Sequence, residues 1–89
     1  MHLEIVSPEK TIFSGEAKSV HLPGSEGHFQ VLNNHAPIVS TLKKGEILID
    51  GVDNNLESDF LDFSNGKASL EIKSGVVEMK KNKLIILVD

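Results

Sequence analysis

The 89-residue chain has no cysteine, no tryptophan and no tyrosine, and its only aromatic residues are four phenylalanines. Without cysteine it can form no disulfide staple, no zinc–thiolate site and no cysteine nucleophile. So few aromatic faces argue against the stacking platforms that bind bases or sugars. Positive charge is scarce as well, with nine Lys and Arg against thirteen Asp and Glu, a net charge of −4. An acidic domain has no obvious means of neutralising phosphates, so nucleic acid is not expected as a partner. Lys43-Lys44 and Lys80-Lys81 are small basic pairs that suit solvated turns.

Long apolar runs are missing too. The longest, residues 84–88, is far below the roughly 20 residues that a membrane-spanning helix needs, so direct membrane insertion is not expected. Glu4, Glu9 and Lys10 interrupt any early apolar run, so no signal peptide is expected. No window of ten or more residues carries a capped helical period. There is no repeat, linker or low-complexity segment, and residues 1–89 are expected to form one domain.

What remains is short alternating segments punctuated by turns. Residues 2–6 place Leu3 and Ile5 on one face, and Ser7-Pro8-Glu9-Lys10 turns the chain. Strand resumes at 11–13, Ser14-Gly15 suggests a bulge or bend, and 16–22 continues with Lys18, Val20 and Leu22 on one face. Pro23-Gly24-Ser25-Glu26-Gly27 is the strongest turn signal. Strand at 28–32 leads to the turn Asn33-Asn34-His35-Ala36-Pro37. Residues 38–42 and 46–49 flank Lys43-Lys44-Gly45, which resembles a hairpin loop with a positive-φ glycine. Residues 56–63 and 67–72 flank a three-residue hairpin, Ser64-Asn65-Gly66. Ser74-Gly75 precedes strand at 76–79, Lys80-Lys81-Asn82 turns, and 83–88 ends the series. Nine or ten strands at this spacing predict an all-β fold, a flattened sandwich or barrel. Residues 84–88 are apolar on both faces and need cover on both, from a loop or from a protein partner.

Catalytic constellations are poor. His21, His28 and His35 recur every seven residues, but on different strands and turns, which argues against a metal site. No Gly-x-Ser-x-Gly elbow is present, and Asp59 and Asp62, three apart on a strand, point to opposite faces. The glycines of the 24–27 turn open no helix and make no phosphate loop. No enzyme activity, cofactor, metal or small-molecule ligand is expected.

Four pieces of the chain carry a resemblance that spans nearly all of it. They are Leu3-Glu4-Ile5-Val6-Ser7-Pro8-Glu9 with Ile12-Phe13-Ser14-Gly15-Glu16; Val20-His21-Leu22-Pro23-Gly24-Ser25-Glu26-Gly27; Asn34-His35-Ala36-Pro37 with Leu42 and Gly45; and Gly75-Val76-Val77-Glu78 with Ile86-Leu87. With these the chain resembles the amino-terminal β-sandwich domain of the epsilon subunit of F-type ATP synthases, called delta in mitochondria. The resemblance implies two five-stranded sheets and a non-catalytic role in the central stalk of the rotor, beside the gamma subunit and on the c-ring. It implies a peripheral position on the cytoplasmic face of the inner membrane, where the subunit couples proton-driven rotation to ATP synthesis. By the same resemblance Gly24, Ser25, Glu26, Gly27 and His28 match the c-ring contact loop, and Ser7, Ser40 and Ile86 match positions that face gamma. Asn34, His35, Ala36 and Pro37 match a stalk-contact turn.

Four positions depart from the family pattern. His28 stands where an acidic residue is frequent, Gln30 where Gly is, Asn33 where Pro is, and Ser74 replaces a Gly. Many relatives continue into a helical hairpin that inhibits ATP hydrolysis; a chain ending at Asp89 would be a short form without it. The competing expectations are a stand-alone β-sandwich that binds a ligand and a metal-dependent enzyme using the three histidines.

Overall fold

Period-two alternation of apolar residues dominates the chain, and the backbone follows it. The computed structural model describes residues 1–52, 62–64 and 66–89, with side chains described for 1–52 and 66–89. Its regular elements are ten strands: β1 (His2–Val6), β2 (Thr11–Glu16), β3 (Ser19–Gly24), β4 (Gly27–Leu32), β5 (Ile38–Leu42), β6 (Gly45–Asp50), β7 (Asp62–Ser64), β8 (Lys67–Ile72), β9 (Gly75–Lys80) and β10 (Lys83–Val88). In β9, Val77 and Met79 are buried while Val76 and Glu78 are exposed, so one face meets the core and the other meets solvent.

Two five-stranded halves result, as expected. One runs β2-β1-β10-β9-β5 and the other β4-β3-β6-β8-β7. Pairing is antiparallel apart from β1 with β10. The halves join where β3 meets β5 through one residue pair, Gly24 with Leu42, so the sheet curls over and encloses a single core. Leu3, Ile5, Val77, Met79, Leu84 and Ile86 enter it from the first half; Val20, Leu22, Val31, Ile47, Ile49 and Ala68 enter from the second. At about 1.5–3 kcal/mol per fully buried aliphatic side chain, this layer is what holds the halves together.

Several local expectations change. Residues 38–42 and 45–50 are not a hairpin: β5 pairs with β9 and β3, and β6 with β3 and β8, so Lys43-Lys44 carries the chain from one half to the other. Gly45 accordingly lies in β6 without a positive φ; a Cβ there would stand 2.7 Å from Pro23 Cβ, and close packing explains the glycine. Pro23 belongs to β3, at the point where its neighbour changes from β6, last paired at His21, to β5, first paired at Gly24. A missing N–H is harmless in that gap.

The irregularity expected at Ser14-Gly15 sits nearby instead. The β1–β2 register jumps from Ile5 with Phe13 to Val6 with Thr11, leaving Ile12 as the extra residue. The 16–22 segment is broken at Ala17-Lys18, whose amides donate to Met1 O (3.0 Å) and Asp50 O (2.9 Å). Its alternation restarts there: Lys18 is exposed, Ala17 and Ser19 are buried, and Val20 and Leu22 are buried on the new phase. The loop of the β7–β8 hairpin has two residues, since Ser64 pairs with Lys67. Asp59, Asn65 and the start of the 56–63 strand lie outside the described residues.

Candidate protein-docking site

The chain direction puts the two turns that dominate the sequence at opposite ends of the sandwich. The β3–β4 turn follows the end of β3, and residues 33–37 follow β4 on its way back. The first is tighter than the glycines suggested. Gly24 pairs with Gly27, so only Ser25 and Glu26 form the turn. A Cβ on Gly24 would come within 2.6 Å of Gly27 O and 2.7 Å of Phe29 Cε1, which is why a glycine stands at this end of β3.

Strand β5 ties this tip down. Ser25 N–H donates to Thr41 O (3.0 Å), and Lys43 N–H donates to Pro23 O (2.9 Å). Thr41 Oγ1–H donates to Ser25 Oγ at 2.8 Å. Residues 24–29 and Val39, Ser40 and Thr41 thereby line an open groove of about 530 Å³. It unites Gly24, Ser25, Glu26, Gly27 and His28 with Ser40, two sets that the sequence had kept apart. Ser7 lies elsewhere at the same end, in the β1–β2 turn. Its amide donates to Lys10 O (2.9 Å) and its carbonyl accepts from Lys10 N (3.3 Å).

Ile86 is a correction. Its side chain is fully buried in the core, opposite Ile5 and Val77, so it has no surface to offer a partner. Alternation along β10 buries Leu84, Ile86 and Val88 and turns Ile85 and Leu87 outward. Leu87 is 53% exposed. The surplus apolar character of residues 84–88 therefore emerges at Leu87.

Leu87 is not isolated. It pairs with Val76, and Val76 with Thr41. One step along, Ile85 pairs with Glu78, and Glu78 with Val39. Val76 is 41% and Val39 72% exposed. Of the large hydrophobic side chains exposed among the described residues, three thus share the outer face of one half. Glu78 and Glu4 interrupt this face, and Glu4 Oε1 lies 3.2 Å from His2 Nε2 and 3.6 Å from Lys83 Nζ. A face that mixes exposed apolar side chains with a few charged ones has the composition of a protein contact surface. Val39, Val76 and Leu87 had not been named as contact residues from the sequence; each occupies the outward phase of its strand.

At the other end, Asn34 adopts a left-handed conformation (φ 62°), which asparagine tolerates better than most residues. His35 N–H closes the turn onto Leu32 O at 3.1 Å. His35 Nδ1 lies 2.6 Å from Ala36 O, and since a carbonyl can only accept, that nitrogen carries the proton. Pro37, Ile38 and Val39 line a second shallow groove, about 310 Å³, with Glu78, Met79 and Lys80. Val39 borders both grooves, so β5 runs as a continuous outer edge between the two turns.

Asn82 is the other residue the sequence did not single out. It and Lys81 form the two-residue β9–β10 turn, both at positive φ (59° and 52°), the signature of a type I′ hairpin. Its Oδ1 accepts from Asn34 N–H at 2.8 Å, and its Nδ2–H donates to Asn33 Oδ1 at 3.1 Å. The Met1 amino group also donates to Asn33 Oδ1, at 2.6 Å. His21, His28 and His35 are all exposed. Among the described residues no three His, Asp or Glu side chains form a group able to hold a metal.

Comparison with known proteins gives the fold and the site a context. The family described as "ATP synthase, Delta/Epsilon chain, beta-sandwich domain" matches residues 1–89. The ATP synthase epsilon chain of Campylobacter fetus is 46% identical over 89 residues, covering 100% of this chain and 60% of the relative. That of Sulfurimonas denitrificans is 38% identical, with the same coverage. The chain thus spans about 60% of the length of these relatives. Among solved structures, a chain of the Tetrahymena thermophila mitochondrial ATP synthase central stalk and c-ring superposes with a TM-score of 0.73 at 14% identity, over 98% of this chain and 61% of that one. A chain of the Euglena gracilis mitochondrial ATP synthase gives 0.73 at 18% identity, over 97% and 48%. At these identities the two structures speak to the fold alone.

Proposed function

Since the chain belongs to the family of the ATP synthase delta/epsilon-chain β-sandwich domain, we propose that it is the sandwich part of an epsilon subunit in the central stalk of an F-type ATP synthase. It performs no bond chemistry in this role. It bridges the gamma subunit and the c-ring, so that rotation driven by proton flow reaches the catalytic subunits. It sits peripherally in the F1 sector, at the cytoplasmic face of the inner membrane.

The observation that carries the reading is the outer face of β5, β9 and β10, where Val76 and Leu87 stand exposed side by side and Val39 lies one diagonal step away, opposite Glu78. Such a face asks for a lasting protein cover, and in this proposal the cover is gamma. Thr41 lies on this face next to Val76, Ser40 turns to the opposite side of β5, where it pairs with the buried Val77, and Leu87 takes the part first given to Ile86. The turn of Gly24, Ser25, Glu26, Gly27 and His28 is the foot on the c-ring. The two bonds between its Ser25 and Thr41, with the Lys43–Pro23 bond beside them, suit a part that must transmit force without yielding. Asn34, His35, Ala36 and Pro37 form a further stalk contact at the far end.

Co-expression with gamma and the c-ring subunit tests the assembly: the three should co-purify, and a sandwich that emerges alone would refute the reading. A His28→Cys variant tests the foot. It should form a disulfide with a cysteine placed in the polar loop of the c-ring subunit. Absence of a cross-link across several loop positions would remove the c-ring assignment.

A further inference from the structure

The turn that carries His35 and Pro37 is not shaped by its own strands. Strand β4 pairs with β3, while β5 pairs with β9 and β3, so no ladder crosses the 33–37 connection. Left to itself, such a connection would sample many shapes. Two bonds from outside it come from one side chain. Asn82 accepts from the Asn34 amide at 2.8 Å and donates to Asn33 Oδ1 at 3.1 Å. Asn82 reaches the turn because β9 flanks β5: Ile38 pairs with Met79, three residues before it.

The chemistry demanded of this position is narrow. The β9–β10 turn places it at φ 59°, which favours glycine, asparagine or aspartate. It must also accept and donate at once. Glycine has no side chain, and an aspartate carboxylate has no donor. Asparagine alone of the three meets both needs. Its backbone carbonyl also accepts from His2 N–H at 3.1 Å, fixing the hairpin against β1.

We propose that Asn82 is the positioning residue of the 33–37 turn, and that it holds His35 and Pro37 in the conformation in which they meet the gamma subunit. The second half rests on the stalk reading above; the first does not. Asn82→Gly keeps the left-handed turn and removes the carboxamide. Asn82→Asp keeps the acceptor for the Asn34 amide.

Amide hydrogen exchange by NMR on the full chain, and binding to purified gamma subunit, separate the two halves. In Asn82→Gly the Asn34 amide should exchange about threefold to tenfold faster, the worth of one net hydrogen bond. Affinity for gamma should fall by a similar factor, and Asn82→Asp, which keeps the acceptor for the Asn34 amide but loses the bond to Asn33 Oδ1, should slow Asn34 exchange again and restore the affinity only in part. An unchanged Asn34 exchange rate in Asn82→Gly, or a rate equally fast in Asn82→Asp, overturns the clamp. Faster exchange with unaltered gamma affinity overturns the link to the partner. If the unaltered chain does not bind gamma at all, the stalk reading of this turn fails, and the clamp stands or falls on the exchange rates.

Discussion

Replacing either of two adjacent residues of β10 by aspartate should produce opposite phenotypes. Ile86 is fully buried and Leu87 is 53% exposed. Removing an isoleucine side chain from a packed core costs about 2–5 kcal/mol, and an unpaired carboxylate left there costs several more. The total approaches the roughly 4–13 kcal/mol expected for the whole stability of an 89-residue domain, so Ile86→Asp should not fold. Leu87→Asp loses a half-buried contact worth about 1 kcal/mol and up to about 1 kcal/mol of strand preference, and it should stay folded. Against gamma the cost is different. A partner covering the rest of Leu87 gains about 1 kcal/mol, and a buried unpaired carboxylate in its place forfeits that and about 2 kcal/mol more. The sum, about 3 kcal/mol, is a loss of roughly 100-fold in affinity. Urea unfolding followed by circular dichroism gives the first quantity, and calorimetric titration with gamma the second. A cooperative, wild-type-like transition for Ile86→Asp would refute the assignment of β10's inward face. Unchanged gamma affinity for Leu87→Asp would refute the docking face.

Gly24→Ala places a methyl 2.6 Å from Gly27 O and 2.7 Å from the Phe29 ring; it should cost about 1–3 kcal/mol, seen as a fall in Tm of at least about 4 °C. Gly45→Ala drives its methyl to 2.7 Å from Pro23 Cβ and should destabilise by about 1–3 kcal/mol, whereas a wild-type urea midpoint would show that this crossing of the chain has slack. Thr41→Val removes the hydroxyl bonded to Ser25 Oγ; it should cost about 0.5–1.5 kcal/mol and sharpen exchange at the Ser25 amide, while no change at either would mean that the backbone bond alone holds the hairpin tip.

How far these features could be read beforehand depends on the range of the interaction that decides each one. Strand existence is local: turn residues bound the strands and alternation marks most of them, because a strand on a core puts one face inward. Pairing is not local. Residues 38–42 and 46–49 read as a hairpin, since a glycine-ended turn between two alternating segments is the usual local signal. The chain instead crosses between halves there, because β5 takes β9 as its partner and β6 takes β3 and β8, all remote in sequence. The same limit explains Ile86. In a segment apolar at every position, sequence cannot say which phase is the core, and the Ile86 assignment came from resemblance, not from alternation. The partners resolve it: Ile86 stands opposite Ile5 and Val77, whose own strands bury alternate residues and carry Glu4 and Glu78 on the outward phase. An unbroken apolar strand thus borrows its orientation from amphipathic strands on either side. The outward residue it leaves behind, Leu87, was hidden in the sequence for the reason that makes it informative in the fold: it is apolar where the alternation of its neighbours calls for a polar residue, and so it marks a surface built to be covered.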